Sequence, residues 1–170
     1  MSFRLALRLV PVLAVAAIVG FALAGDAGLG AKAWAQFSLR RDNGLVTKPS
    51  NKPVKETIDA LAAAVEAAGI KVIARVDHAA GAKAVGQTLA PTEVLLFGAP
   101  LVGTPLMQSD PRIGLELPMK VLAWQDAAGK VWIAYTRPDA LAKRFGIKGR
   151  VDVLEAMKQA LDKLTTEAAK

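Results

Sequence analysis

The sequence predicts an α+β domain of two layers, a mainly antiparallel sheet with helices gathered on one face, preceded by an apolar N-terminal leader. Three observations carry this expectation. The runs Met119 to Gln125 and Val131 to Thr136 are strand-like and flank a turn containing Ala127, Ala128 and Gly129, which makes an antiparallel hairpin. Val151, Leu154, Met157, Leu161 and Leu164 recur at helical spacing and give a closing amphipathic helix. The elements follow one another as strand, helix, strand, small segment, strand, hairpin and then one or two helices, an order that suits helices packed on one side of an antiparallel sheet.

Residues 1–35 read as a secretory signal peptide. Arg4 and Arg8 open it, Leu9 to Ala24 form the apolar run, and Ala33-Trp34-Ala35 offers a small-x-small cleavage box. Cleavage near Ala35 leaves a mature chain that starts at Gln36 and works in the periplasm or another exported compartment. The alternative is a retained anchor, because the apolar run is about as long as a short membrane span. No twin-Arg pair precedes the run, so the general secretion route is expected.

Gln36 to Asn43 is a polar, basic lead-in to one domain over residues 44–168. Gly44 to Lys48 is the first strand, which Pro49 to Pro53 ends. Pro53 suits a first helical turn, where its missing N–H is not needed. Val54, Ile58, Leu61 and Val65 then trace one helical face, and Gly69 stops the helix. Ile70 to Val76 is rich in β-branched residues and reads as a strand. Ala79 to Thr88 forms a short helix flanked by Gly81 and Gly86, and Thr92 to Phe97 is a strand that Gly98 stops. Ala99 to Met107 is a shaped loop or a helix starting near Thr104 and Pro105, and Ser109-Asp110-Pro111 is a turn. After the hairpin, Pro138 opens a short helix that Gly146 closes.

Composition excludes several function classes. The chain has 22 Lys plus Arg, 15 Asp plus Glu and no Cys. Without the leader the balance is 19 bases against 14 acids, and Lys143, Arg144, Lys148 and Arg150 form the one dense group, which reads as a solvated helix end. Nucleic acid is not the expected partner, since it requires a clearer basic stripe. The lack of Cys excludes disulfides, thiolate zinc sites, iron–sulfur clusters and haem attached through paired cysteines. A metal or haem would have to be held by His, Met, Tyr or carboxylates.

Four motifs in order identify a resemblance. They are Gly44-Leu45-Val46-Thr47-Lys48-Pro49-Ser50 with Glu56-Thr57; Val76-Asp77-His78-Ala79-Ala80-Gly81-Ala82; Pro91 to Gly98 running into Gly103-Thr104-Pro105-Leu106-Met107; and Leu117-Pro118-Met119-Lys120 with Trp124. Together, over roughly Gly44 to Leu164, they resemble the bacterial family called domain of unknown function 302. That resemblance implies a two-layer α+β domain like the sheets of TATA-binding proteins, and homodimers, but no settled activity. The family pattern often has Asn after Phe-Gly, and Ala99 departs from it.

Function must therefore be argued from residues. His78, the one histidine, follows Asp77 where a strand gives way to a glycine-flanked turn. Its imidazole suits a ligand or proton-transfer role as well as a structural turn cap. A haem would pair His78 with Met107, Met119 or Tyr135, or with a second copy of His78 in a dimer. An enzyme would use Asp77, His78 and Glu93, with unequal burial separating the two carboxyl groups. There is no Gly-x-Ser-x-Gly elbow, and the near phosphate loop Gly81 to Thr88 has Gln87 where Lys is required. Trp124 and Trp132 lie on opposite strands of the hairpin and are expected in the core against Leu154, Met157 and Leu161. The leading expectation is an exported, non-catalytic homodimer that binds a small ligand or a partner, with Asp77, His78, Glu93, Thr104 and Met107 as candidate binding residues and His78 as the candidate metal ligand. The first alternative is a haem or metal protein built on His78.

Overall fold

Alternating apolar residues in five segments build one antiparallel sheet, whose strands are β1 (Leu45–Ser50), β2 (Lys71–Asp77), β3 (Thr92–Gly98), β4 (Met119–Gln125) and β5 (Val131–Thr136). The computed structural model describes residues 43–170. The expected leader, its cleavage site near Ala35 and residues 36–42 of the lead-in lie outside the described residues. Strand order is β1-β5-β4-β3-β2, and every neighbouring pair is antiparallel. The helices are α1 (Val54–Ala67), α2 (His78–Ala84), α3 (Pro100–Ser109), α4 (Pro138–Arg144) and α5 (Val151–Ala168), with a 3-10 turn at Pro111–Leu115.

Because side chains alternate across a strand, Leu95, Phe97, Val121, Ala123, Ile133 and Tyr135 share the face turned toward the helices. Val54, Ile58, Leu61 and Val65 of α1 and Met157, Leu161 and Leu164 of α5 bury against that face as one core. The helical spacing read from the sequence is therefore the packing stripe, with one exception. Val151 is 75% exposed at the first turn of α5 and contributes nothing to the core.

Polar side chains tie the first strand to the helical layer. Lys48 Nζ donates to the Asp162 carbonyl (2.9 Å), Asp162 Oδ1 (2.7 Å), Thr165 Oγ1 (3.0 Å) and Thr166 Oγ1 (2.7 Å), which fastens β1 to the last turns of α5. The buried Ser50 and Thr57 hydroxyls share a hydrogen bond of 2.7 Å, and Thr57 Oγ1 also donates to the Pro53 carbonyl at 3.0 Å. These residues of the first motif thus carry a structural load.

Several boundaries differ from the expectation. β1 runs on to Ser50 with Pro49 opposite Trp132. It lies at the sheet edge, where alternate N–H groups face away from the neighbouring strand and a proline is tolerated. α2 starts at His78 with Gly81 inside it, so this glycine is not part of a phosphate-type loop; Gly86, at φ +73°, follows the helix end. α3 starts at Pro100, because Pro suits the first helical position, and Pro105 is held inside the helix. Trp124 and Trp132 are direct partners across the hairpin, but they alternate with the buried Ala123, Val131 and Ile133 and so occupy the face away from α1 and α5. The expected packing of the tryptophans on the final helix is therefore replaced by pairing on the open face.

Gly44 has φ +73°, and a Cβ there would stand 2.7 Å from Ala140 Cβ. Gly44→Ala combines a disfavoured backbone conformation with a clash and is expected to destabilise the fold by about 2–3 kcal/mol in urea unfolding. An effect below about 0.5 kcal/mol contradicts this packing.

Asp126 organises the hairpin turn. Its Oδ1 accepts the Ala128 and Lys130 N–H groups, both at 2.9 Å, and its Oδ2 accepts Trp132 Nε1 at 2.7 Å. The indole N–H, then the Lys130 N–H, hold this carboxyl below its ordinary value of 3.8. A depressed folded-state value contributes stability above the unfolded pKa, and that contribution is lost as pH falls through the folded one. Acidification below about pH 4 is therefore expected to change tryptophan emission as the turn loosens, and Asp126→Asn is expected to remove that acid step. An identical acid titration in both proteins contradicts the role of Asp126.

Candidate functional site

Strand register divides the candidate residues between two ends of the sheet. Asp77 pairs with Glu93 at one end and Lys71 with Gly98 at the other. Seven-residue strands put these ends about 20 Å apart.

Asp77, His78 and Glu93 lie at the first end. Asp77 Oδ1 accepts the Ala80 N–H at 2.8 Å and caps α2, so the turn-capping role falls to Asp77 and not to His78. His78 is exposed at the first position of the helix. Glu93 is buried and bonded at 2.7 Å to the Arg75 guanidinium, which also reaches Asp59 Oδ1 of α1 at 2.7 Å. Lys55 completes the chain by donating to Asp59 Oδ2 at 2.8 Å. Hydrogen bonds from Lys55 and then Arg75 lower the Asp59 pKa, and the Arg75 pKa is raised, chiefly by Glu93. Both carboxylates near His78 are therefore engaged in structure, one as a cap and one in an ion pair. Neither presents an oxygen to the imidazole as a general acid–base pair requires.

The haem partners do not assemble around His78 within one chain. Met107 and Met119 belong to the opposite end, and Tyr135 is buried in the core, where desolvation raises its pKa. Among the described residues no group of three or more His, Cys, Asp or Glu side chains could hold a metal ion.

The second end carries an apolar cleft. β3 ends at Gly98 and passes through Ala99 directly into α3, whose one fully buried side chain is Leu106. This leaves a hollow between α3, the start of β4 and α5. Its first lobe, about 300 Å³, reaches Ile73, Gly103, Met107 and Leu117, and its second, about 260 Å³, reaches Ile70, Phe97 and Leu161. Gly98, Ala99, Val102, Met119 and Met157 line both lobes. No ionisable side chain lines either one. Gly103 also lines the first lobe, and a Cβ there would make ordinary van der Waals contacts, 3.4 Å from Leu117 Cδ1 and 4.0 Å from Met107 Cε.

Of the sequence candidates, Met107 lines this cleft, whereas Thr104 is exposed on α3 and does not. Sequence reading missed Gly98, Ala99 and Met157 as site residues. No local pattern marks them: three of the four Met in the chain, Met107, Met119 and Met157, meet here only through the fold. Flexible, polarizable thioethers suit a surface that accepts apolar ligands of varied shape.

Comparison with known proteins agrees with this architecture. A crystal structure of an uncharacterized conserved DUF302 protein from Bacillus stearothermophilus superimposes with a TM-score of 0.67 at 16% identity, covering 75% of this chain and 99% of that one, which establishes a shared fold. Among curated proteins, the fluoride-specific ion channel FluC 1 of Brucella suis biovar 1 is 46% identical over 129 residues, covering 75% of this chain and 51% of the relative. The fluoride-specific ion channel FluC 2 of Brucella melitensis biotype 1 is equally similar, with 48% of its length covered. The chain thus spans about half the length of the curated relatives it matches. The model of the family described as domain of unknown function DUF302 matches residues 46–164, and the chain belongs to that family.

Proposed function

We propose that this domain is a non-catalytic binding protein that holds a small apolar molecule in the cleft between α3, β4 and α5. The observation that carries the reading is a cleft of ligand-binding size lined by Val, Leu, Ile, Met and Gly without a charged side chain. Ala99 supports it: where the family pattern often has an amide, this chain puts a methyl group that lines both lobes. Export rests on the leader motifs, and a homodimer rests on the family resemblance. His78 is a surface residue of α2 in this reading.

Titration with 1-anilinonaphthalene-8-sulfonate, an anionic fluorophore whose emission rises when its aromatic rings enter an apolar site, tests the proposal. One saturable site per chain that persists in His78→Ala is expected. No saturable site, or its loss in a folded His78→Ala protein, overturns the reading.

The names of the curated relatives favour a second reading, in which the partner is a membrane channel. Only about half of each relative is matched, so this domain would act beside a separate channel portion. Recovery of a fluoride channel with the tagged chain from solubilised membranes supports that partner, and its absence from such preparations argues against it.

A further inference from the structure

The cleft end of the domain also carries most of its net positive charge. Segments 99–120 and 137–152 hold seven Lys or Arg against four Asp or Glu, a net of +3 out of +4 for all residues 43–170. Three of the four acids are matched locally, with Asp110 Oδ2 at 2.6 Å from Arg112, Glu116 at 2.8 Å from Arg144 and 3.5 Å from Lys120, and Asp139 at 3.2 Å from Arg137. Lys143, Lys148 and Arg150 provide the surplus.

The three most exposed large apolar side chains among the described residues lie on the same segments. Leu101 is 90% exposed, Leu115 79% and Val151 75%. Side-chain contacts hold these segments together: Arg150 Nε donates to Ser109 Oγ at 3.2 Å, bringing the start of α5 against the end of α3, and the Arg144–Glu116 pair brings α4 against the end of the 3-10 turn. Lys120 Nζ reaches the Leu115 carbonyl at 3.4 Å. Single exposed leucines are ordinary on protein surfaces. Three side chains this exposed, on segments that also carry the surplus bases, are a pattern.

We infer that this end docks on an anionic lipid surface, a role separate from the cleft reading. Lys143, Lys148 and Arg150 meet lipid phosphates while Leu101, Leu115 and Val151 enter the acyl boundary, so one partner satisfies both features. Nucleic acid matches the charge but gives the aliphatic tips no role, and the nearby Phe145 is half-buried with the Arg144 guanidinium 5.4 Å from its ring centre, so it offers no free stacking platform.

The test is partition of the full chain into phosphatidylcholine vesicles with and without phosphatidylglycerol. Chains differing only at the proposed positions are compared, so any binding by the leader is common to all of them. Lys143→Glu with Lys148→Glu is expected to reduce the preference for anionic vesicles about tenfold or more. Leu101→Ser with Leu115→Ser is expected to weaken binding to those vesicles several-fold, with both double variants keeping the parent unfolding midpoint. Unchanged partition of either folded double variant overturns the inference. So does preference for a DNA duplex over anionic vesicles in competition.

Discussion

Leu61→Ala is expected to lower the unfolding free energy by about 3–4 kcal/mol and Tm by about 10–15 °C. Leu61 has no exposed surface and sits on the stripe of α1 that packs between the sheet and α5. Its removal takes away buried methyl groups and leaves a cavity that neighbours on both layers are too constrained to fill. Fluorescence-monitored urea unfolding measures the loss. A change under about 1 kcal/mol would mean that α1 does not hold the sheet as described.

Gly103→Leu is expected to block the first lobe of the cleft and weaken 1-anilinonaphthalene-8-sulfonate binding about tenfold or more. Two features separate this effect from damage to the fold. The contacts available to a Cβ at Gly103 are in the ordinary van der Waals range, and its φ is outside the left-handed region, so the backbone has no need of glycine there. Within α3, Leu also has a better helix propensity by up to about 1 kcal/mol. Stability is therefore expected to hold or rise while affinity falls. Unchanged affinity in the folded variant would place the probe elsewhere, for example on the Trp124–Trp132 face.

The hairpin and the packing stripes of α1 and α5 were legible in the sequence because local periodicity determines them. Gly129, at φ +80°, closes the turn where the glycine was expected. The orientation of the hairpin was not legible. Both of its faces are apolar, Val131, Ile133 and Tyr135 on one and Trp124, Trp132 and Leu122 on the other, and composition does not say which meets the helices. Asp77-His78 adjacent to a turn was correctly placed at a strand end, yet the partners of Asp77 and Glu93 were hidden. One is a backbone N–H three residues on, and the other is Arg75, eighteen residues before Glu93, brought close by strand pairing. The cleft was hardest to foresee. Its shared lining runs from Gly98 to Met157, and strand order rather than any local pattern brings β3, α3, β4 and α5 to one end. Met107 was a candidate because it belongs to a motif; its proximity to Met119 and Met157 is a property of the fold.

The separation of His78 from the cleft methionines lets one experiment locate the bound molecule. In protein labelled with carbon-13 at the methionine methyl groups, titration with 1-anilinonaphthalene-8-sulfonate should shift the Met107, Met119 and Met157 resonances together and saturably, leaving the His78 imidazole signals in place. Shifts at His78 with unmoved methionine methyls would contradict an apolar binding site at the α3 end of the sheet.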